Sequence, residues 1–389
     1  MIHGDDFASV GERHQLDWFE KMLKERFDTK TEKVGPKSDE VPETRILNRI
    51  IRHTDEGWEY EPDQRHAEMI IEELQLDKAK AVETPGEKAK DWEKEAREEK
   101  LDKFKATKYR QVAARANYMA QDRPDVMYAV KEICRGMSQP TEGDWDKLKR
   151  LARYLIGHVR YVVVYKWQGE ENELRTYTDS DWGGCSETGR STSGGMVLLG
   201  EHWLKSWSKT QQCVTLSSAE AELVAMSRAA AEMLGCASMA RDLGDELRGQ
   251  VFADSASALA VVARRGAGKL RHINITHLWL QELEKRQESP VKFSKVAGTQ
   301  NPADALTKYL ARDLVNKYLA ASGHEKREGR ADAGLKLSKL SEVGREGTDR
   351  NGVQGSLYSC TVKEECLTLT PNSMYRPRYI RSRTVAIFG

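Results

Sequence analysis

The sequence predicts an α/β fold, and residues 174–310 predict a mixed five-stranded sheet with flanking helices. Three observations lead to this prediction. Three short apolar strands separated by glycine-rich turns come first, a long helix follows them, and two further strands then alternate with helices. A chain that alternates in this way packs its helices against the faces of one sheet.

The five strands are short apolar segments, expected at residues 174–179, 196–199, 203–206, 251–253 and 291–296. Ser217 and Glu220 have the spacing of a capping box, which predicts that the long helix begins there. Helices are also expected after the fourth strand, through Val262, and over about residues 276–286. Asn301 and Pro302 suit the cap and first turn of a last helix.

The first 168 residues carry patterns of both kinds. Apolar residues at helical spacing predict four helices, at about residues 15–27, 63–74, 109–137 (with a break near Pro124) and 141–155. Thr141 is the expected cap of the last of these. The expected strands are 45–51, 58–60 after a turn at Gly57, and 161–167.

Composition shifts divide the chain into a first folded segment, a charged solvated linker, a helical segment, the sheet domain and a disordered tail without periodicity. Their expected ranges are residues 1–85, 86–108, 109–168, 169–320 and 321–389.

Composition also excludes several classes of protein. No window approaches the length of apolar chain that spans a bilayer, and the N-terminus does not resemble a secretory signal. We therefore expect a cytoplasmic or nuclear, intracellular protein without a membrane partner. The six cysteines form no C-x-x-C pair, which argues against a zinc knuckle or a disulfide framework. The net charge of +1 means that a nucleic-acid partner would need a local basic stripe.

Four acidic residues stand out by position. Asp179 ends the first strand of the sheet domain, Glu222 lies in the second turn of the long helix, and Asp254 ends the fourth strand. Asp304 lies in the first turn of the last helix. Strand ends and helix starts converge on one edge of such a sheet, so all four carboxylates could meet there.

Carboxylates that meet in this way suit divalent cations. Two Mg²⁺ ions roughly 3.5–4 Å apart promote phosphodiester hydrolysis by activating water and stabilising the leaving oxygen, and Mn²⁺ is an alternative. Taken singly, each acid also has a structural explanation. The helix dipole accounts for Asp304, a strand-to-helix cap for Asp254, and surface exposure for Glu222.

The same residues lie in motifs that resemble the C-terminal part of the Pol polyprotein of copia-type retrotransposons, in which ribonuclease H follows reverse transcriptase. The matching segments are Tyr177-Thr178-Asp179-Ser180-Asp181-Trp182, Arg190-Ser191-Thr192-Ser193-Gly194-Gly195, Ser206-Trp207-Ser208-Lys209-Thr210-Gln211, Leu216-Ser217-Ser218-Ala219-Glu220-Ala221-Glu222, Ala253-Asp254-Ser255, Arg271-His272-Ile273, Asn301-Pro302-Ala303-Asp304 and Leu306-Thr307-Lys308.

The resemblance implies a ribonuclease H-like sheet and an endoribonuclease that cuts the RNA strand of RNA–DNA hybrids with two metal ions. The four metal-binding acids would be Asp179, Glu222, Asp254 and Asp304. Two positions have competitors: Asp181 shares a strand face with Asp179, and Glu220 competes with Glu222. We favour Asp179, because it best matches the first acid of ribonuclease H folds, and Glu222, because Glu220 is engaged by the capping box. The loop before the last acid, residues 298–301, carries no histidine, although many ribonuclease H enzymes have one there.

A basic segment precedes the penultimate helix. We expect it to contact the phosphates of the hybrid and to make binding salt-sensitive, although an exposed loop would look the same. Its cations are Arg264, Arg265, Lys269 and Arg271. The i, i+5 spacing of His272 and His277 is poor for joint metal ligation on one helical face.

The front of the chain resembles the end of a reverse transcriptase, which implies that residues 1–85 are a truncated palm remnant and residues 109–168 a helical thumb or connection region. Residues 2–6 look like the paired-aspartate hairpin of the palm, with Asp5 and Asp6 as the aspartates and His3 in place of the usual aromatic residue. The palm strand with the third carboxylate would lie outside this chain, so we expect no polymerase activity from it. The missing reverse transcriptase portion is a candidate partner.

Two functions therefore follow from the sequence. The first is the hybrid-specific endoribonuclease. The alternative is a catalytically inactive retroelement fragment that binds nucleic acid or supports a polymerase partner. No oligomeric state is predicted.

Overall fold

The computed structural model describes residues 2–3, 6–88, 98–268, 272–286, 289–337 and 382–388. The chain divides into two compact units. The first comprises residues 1–32 and 336–389, and the second comprises residues 33–335.

The first unit contains a hairpin and a helix. Strand β1 (Ile2–His3) pairs antiparallel with β2 (Asp6–Val10), and the strand Ser382–Phe388 runs parallel to β2. The edge strand of this sheet is β3 (Thr29–Val34). Helix α1 (Arg13–Lys24) overlaps the helix predicted at about residues 15–27 but ends before Phe27, which is exposed, and it buries Leu16 and Leu23. Asp6 begins β2, whereas Asp5 lies outside the described residues.

The second unit begins with a five-stranded sheet in the order β13-β7-β6-β5-β4. These strands are β4 (Glu43–Ile46), β5 (Arg49–Thr54), β6 (Gly57–Glu61), β7 (Tyr161–Lys166) and β13 (His324–Lys326). The single strand predicted at residues 45–51 is wrong, because β4 and β5 are separate strands of a hairpin. Leu47 and Asn48 form the turn with φ angles of 49° and 66°. Leucine rarely adopts this left-handed conformation, so the turn carries a weak sequence signal.

Four helices pack around a common apolar core that includes Ile70, Val112, Ile133 and Leu151. They are α2 (Arg65–Glu73), α3 (Lys103–Met119), α4 (Pro124–Arg135) and α5 (Glu142–Gly157). The expected cap at Thr141 is present as a full capping box with Asp144.

The end of the predicted linker is corrected by α3. This helix begins inside the range 86–108 because the Asp102 side chain accepts hydrogen bonds from the N–H groups of Phe104 and Lys105. Residues 89–97 of that range lie outside the described residues.

The predicted mixed five-stranded sheet is confirmed, with the order β10-β9-β8-β11-β12. Strand β9 is antiparallel to β8 and β10, and β11 is parallel to β8 and β12. All five strands fall where the sequence predicts them, although the first four are longer and the fifth ends one residue earlier. Their bounds are β8 (Glu173–Asp181), β9 (Thr192–Leu199), β10 (His202–Thr210), β11 (Arg248–Ala253) and β12 (Val291–Lys295).

One face of this sheet is covered by three helices of the predicted sheet domain. These are α6 (Ser218–Asp242), α7 (Ala256–Ala263) and α8 (Trp279–Lys285), the last preceded by the 3₁₀ turn Ile275–Leu278. Val197 of β9, Met226 of α6 and Val251 of β11 belong to the apolar core on this face.

The other face is covered partly by residues from outside the predicted sheet domain. Side chains alternate along a strand, so Met196 and Leu198 point away from Val197. Both belong to a second apolar cluster with Trp203, and this cluster also contains Met127 of α4 and Val163 of β7. The helical segment and the sheet domain therefore share a core.

The predicted last helix differs from the structure. Residues Pro302–Leu306 form a 3₁₀ turn, and helix α9 begins only at Arg312 and ends at Ala321. Asn301 does cap the turn, since its side-chain oxygen accepts a hydrogen bond from the N–H of Ala303. The Asn301 amide also donates to the carbonyl of Thr178, which fastens the turn to β8.

The range 321–389, predicted to be disordered, contains two strands, β13 (His324–Lys326) and Ser382–Phe388. Strand β13 pairs antiparallel with β7, and Arg327 donates a hydrogen bond to Glu59 at 3.1 Å. Residues 338–381 and 389 of that tail lie outside the described residues. Among the helices of the described ranges, none combines the length and the apolar character required to cross a bilayer.

The shared core predicts a stability effect from outside the sheet domain. Replacing buried Met127 with alanine should lower the free energy of unfolding by about 2–5 kcal/mol, because it leaves a cavity against the sheet. Met239→Ala, at a site 61% exposed on α6, is the matched control and should change it by less than about 0.5 kcal/mol. Urea unfolding curves measure both, and equal effects would contradict the shared core.

Candidate metal centre

Three of the predicted acids converge at one edge of the β8–β12 sheet. One carboxylate oxygen from each of Asp179, Glu222 and Asp254 lies within 4.8 Å of the others. Strands β8 and β11 are parallel neighbours, so their carboxyl ends bring Asp179 and Asp254 to the same edge. Glu222 comes from the start of α6, which packs on this sheet. Asp179 and Glu222 are only 3% and 7% exposed.

Only one of the two carboxylate oxygens of Glu222 has hydrogen-bond partners among the described residues. Its Oε1 atom accepts hydrogen bonds from the backbone N–H and the hydroxyl of Ser180, at 3.1 and 2.9 Å. Its Oε2 atom is buried and has no hydrogen-bond partner among the described residues. Burial, and then the charge of Asp179, raise the pKa of the Glu222 carboxyl to about 8.

Asp179 is held from the side of the 3₁₀ turn. The Thr307 hydroxyl donates a hydrogen bond to its Oδ2 atom. Lys308 also approaches this carboxylate, with its Nζ atom 3.9 Å from Oδ2. These contacts fix one oxygen of Asp179 beside the turn that carries Asp304.

Asp304 borders the group of three and is joined to it through Lys308. The Lys308 Nζ atom lies 3.1 Å from Asp304 Oδ1. Burial, and then Asp179, raise the pKa of the Asp304 carboxyl to about 6. The same two causes raise the pKa of Asp254. All three shifts show that the acids crowd one another in a partly dry site.

The two competing acids are placed differently. Asp181 is half-buried, and burial raises the pKa of its carboxyl. Glu220 is engaged elsewhere, because its Oε2 atom accepts from the N–H of Leu216 at 2.8 Å and lies 3.0 Å from His272 Nε2. The predicted capping box is therefore modified: Ser217 caps the helix, but Glu220 reaches back to Leu216. Within the described ranges, neither Asp181 nor Glu220 belongs to the group of three.

Two cations of the basic segment, Arg264 and Arg265, are described, and neither forms an ion pair with these acids within the described part of the chain. Arg264 turns back on its own loop and donates to the carbonyl of Ala267 at 2.6 Å, whereas Arg265 is exposed. Lys269 and Arg271 lie outside the described residues. The His277 Nδ1 atom lies 3.0 Å from the Ser227 hydroxyl oxygen.

The donor set fits a divalent cation such as Mg²⁺. The converging atoms are carboxylate oxygens, which Mg²⁺ prefers, and a buried Glu222 oxygen lacks a protein partner. Raised carboxyl pKa values indicate electrostatic repulsion that a cation would relieve. Asp179, Glu222 and Asp254 are the residues placed to hold such an ion, with Asp304 at the margin.

Sequence reasoning did not assign roles to Thr307 and Lys308. Both lie in the motif after Asp304, and Lys308 has i, i+4 spacing from it. That spacing puts side chains on one face of a helical turn and could have signalled the ion pair. The contacts of both residues with Asp179 depend on tertiary structure and leave no signal in local spacing.

Comparisons with known proteins agree with the motifs. No family model matches the chain. The chain is 31% identical over 209 residues to the retrovirus-related Pol polyprotein from transposon RE2 of Arabidopsis thaliana, covering 53% of this chain and 14% of that protein. It is 26% identical over 321 residues to the corresponding polyprotein from transposon TNT 1-94 of Nicotiana tabacum, covering 80% of this chain and 23% of that protein.

The chain is homologous to retrovirus-related Pol polyproteins from copia-type transposons. It spans less than a quarter of the length of these two Pol relatives. Among solved structures, LC11-RNase H1 in complex with an RNA/DNA hybrid matches with a TM-score of 0.25 and 17% identity, over 38% of this chain and 99% of that one.

The raised pKa of Glu222 predicts how stability depends on pH. Its carboxyl ordinarily titrates near 4.5 and in the folded chain near 8, so the folded state favours the proton. In metal-free buffer, the contribution of Glu222 protonation to the free energy of unfolding is fully present below pH 4.5 and is lost as the pH rises to 8. The melting temperature should fall by on the order of 5 °C over that interval because of Glu222 alone.

Glu222→Gln should remove this part of the pH dependence, since the amide does not titrate. Glu246→Gln, at an exposed position, is the control and should keep the wild-type profile. Thermal melts in EDTA between pH 5 and 8.5 measure the effect. Parallel profiles for Glu222→Gln and the wild type would show that Glu222 does not carry the shift.

Proposed function

We propose that this chain is an endoribonuclease that hydrolyses the RNA strand of RNA–DNA hybrids by a two-metal mechanism. The observation that carries the proposal is the convergence of Asp179, Glu222 and Asp254 at one sheet edge, with an unpartnered buried Glu222 oxygen. Similarity to the copia-type Pol polyproteins, in which ribonuclease H follows reverse transcriptase, supports the choice of substrate.

Asp179, Glu222, Asp254 and Asp304 would hold two Mg²⁺ ions, or Mn²⁺ in their place. When bound, the two ions supply activation of water and charge stabilisation on the leaving oxygen of the phosphodiester. The protein's own contribution is orientation. Ser180 donates two hydrogen bonds to Glu222, which leaves the second Glu222 oxygen directed to the site.

Thr307 has a related role on the opposite side of the cluster. Its hydroxyl donates to Asp179 Oδ2 and so orients the carboxylate that contributes to the raised pKa values of all the other acids of the cluster. The Thr307 side chain is buried, so this hydrogen bond is shielded from solvent. Preorganised ligands of this kind reduce the rearrangement that a cation would otherwise have to drive.

Recognition of the hybrid would rest on two kinds of contact. The 2′-hydroxyl groups across the wide minor groove distinguish the RNA strand from DNA. The basic segment with Arg264, Arg265, Lys269 and Arg271 would contact phosphates, and of these Arg265 is exposed and available.

Cleavage of a labelled hybrid tests the proposal. The wild-type chain in Mg²⁺ should cut the RNA strand and leave RNA duplex and DNA duplex intact. Asp254→Asn should reduce the rate on the order of 100-fold or more, because it removes one anionic ligand. Asp245→Asn, at an exposed position outside the cluster, is the matched control and should cut at the wild-type rate.

The results separate the two functions predicted from the sequence. Hybrid bound but left uncut by the folded wild-type chain would contradict the nuclease proposal and favour the inactive nucleic-acid-binding fragment. An equal loss of cleavage rate in Asp254→Asn and Asp245→Asn would show that the activity does not depend on the cluster.

The basic segment gives a separate prediction on affinity. Arg265→Glu should weaken hybrid binding and reduce the steepness of the dependence of log affinity on log salt by about 1, since one phosphate contact is lost. Arg241→Glu, at an exposed position on the end of α6, is the control. Fluorescence anisotropy at several salt concentrations measures both, and an unchanged slope in Arg265→Glu would remove this residue from the interface.

A further inference from the structure

Lys308 brings a positive charge into direct contact with the acidic cluster. Its Nζ atom lies 3.1 Å from Asp304 Oδ1 and 3.9 Å from Asp179 Oδ2. Within the described part of the chain, no other lysine or arginine forms an ion pair with Asp179, Glu222, Asp254 or Asp304. Lys308 thus bridges the acid at the margin and an acid of the central group.

The position of Lys308 is fixed by the fold. The N–H groups of Thr307 and Lys308 both donate to the Asp304 carbonyl, which closes the turn. The Thr307 side chain is bound to Asp179, and Asn301 ties the start of the turn to the carbonyl of Thr178. The backbone of Lys308 is therefore held beside the cluster from two sides, unlike that of an ordinary surface lysine.

Lys131, a second cation near this end of the sheet, is engaged with other groups. Lys131 of α4 donates to the Thr192 hydroxyl at 2.7 Å and pairs with Glu132 at 2.5 Å. The Lys308 side chain is 45% exposed, so it can leave the carboxylates for solvent without breaking the core. A cation with these properties stabilises crowded acids and remains exchangeable.

We propose that Lys308 is a built-in counter-ion of the cluster, which holds Asp179 and Asp304 together in the metal-free protein and releases them when a divalent cation binds. This inference rests on the proposed function, because it assumes that the same carboxylates take up a metal ion. Lys308 and the cation compete for the same oxygens, so the lysine stabilises the metal-free chain and lowers its affinity for the ion.

Lys308→Met tests the proposal in the full chain, since methionine keeps much of the aliphatic stem and removes the charge. In EDTA, the variant should melt at a lower temperature than the wild type, because the acids lose their counter-ion. In calorimetric titration with Mg²⁺ or Mn²⁺, it should bind the first ion more tightly, by up to about fivefold, the range that partly exposed ion pairs give. Addition of Mg²⁺ should then raise its melting temperature more than that of the wild type.

Two further variants control for non-specific effects. Lys308→Arg keeps the charge and should restore wild-type melting in EDTA, whereas a purely steric role of the side chain would not be restored in this way. Lys205→Met removes a lysine of similar exposure that pairs with Glu232 and not with an acid of the cluster. It should leave metal affinity unchanged.

The outcomes distinguish this inference from the proposed function. A wild-type chain that binds divalent ions with the same affinity as Lys308→Met contradicts the counter-ion role alone. Weaker binding by Lys308→Met also contradicts it, because competition requires the opposite sign. A folded wild-type chain that binds no divalent ion contradicts the proposed function and the exchange together.

Discussion

Electrostatic repulsion among acidic side chains at one sheet edge is the constraint on which the rest of this structure depends. One carboxylate oxygen from each of Asp179, Glu222 and Asp254 lies within 4.8 Å of the others, and burial together with the charge of Asp179 raises the pKa of Glu222 and of Asp254. The surrounding polar groups oppose that repulsion. Ser180 and Thr307 donate hydrogen bonds into the cluster, and Lys308 supplies a charge.

The sheet that carries these acids needs covering on both faces to hold them in place. Helices α6, α7 and α8 cover one face, and the cluster around Met196, Leu198 and Trp203 covers the other with the help of Met127. Residues from the helical segment before the sheet domain therefore contribute to the rigidity of the site edge. Close packing of this kind transmits a change at α4 to the strands that carry Asp179.

The succession of strands and helices along the chain, and the positions of the acids on them, could be predicted because they depend on local patterns: apolar runs, glycine turns, and acids at strand ends. Features without a local signal were missed. The turn at Leu47 and Asn48 needs a left-handed leucine. Helix α3 begins within a uniformly charged stretch, where one aspartate cap decides the boundary. The turn at Pro302 stays 3₁₀ where the Asn301 side chain binds both its own turn and β8, a contact between residues 123 positions apart.

The most direct test of the central claim is anomalous X-ray scattering from crystals of the chain grown with Mn²⁺. We expect an anomalous peak from a Mn²⁺ ion coordinated by oxygens of Asp179, Glu222 and Asp254, with the Glu222 Oε2 atom as one ligand. A second peak toward Asp304 would accompany movement of the Lys308 ammonium away from Asp179. Well-ordered carboxylates with no peak among them, at Mn²⁺ concentrations that saturate other sites in the crystal, would show that these acids do not form a divalent-cation site.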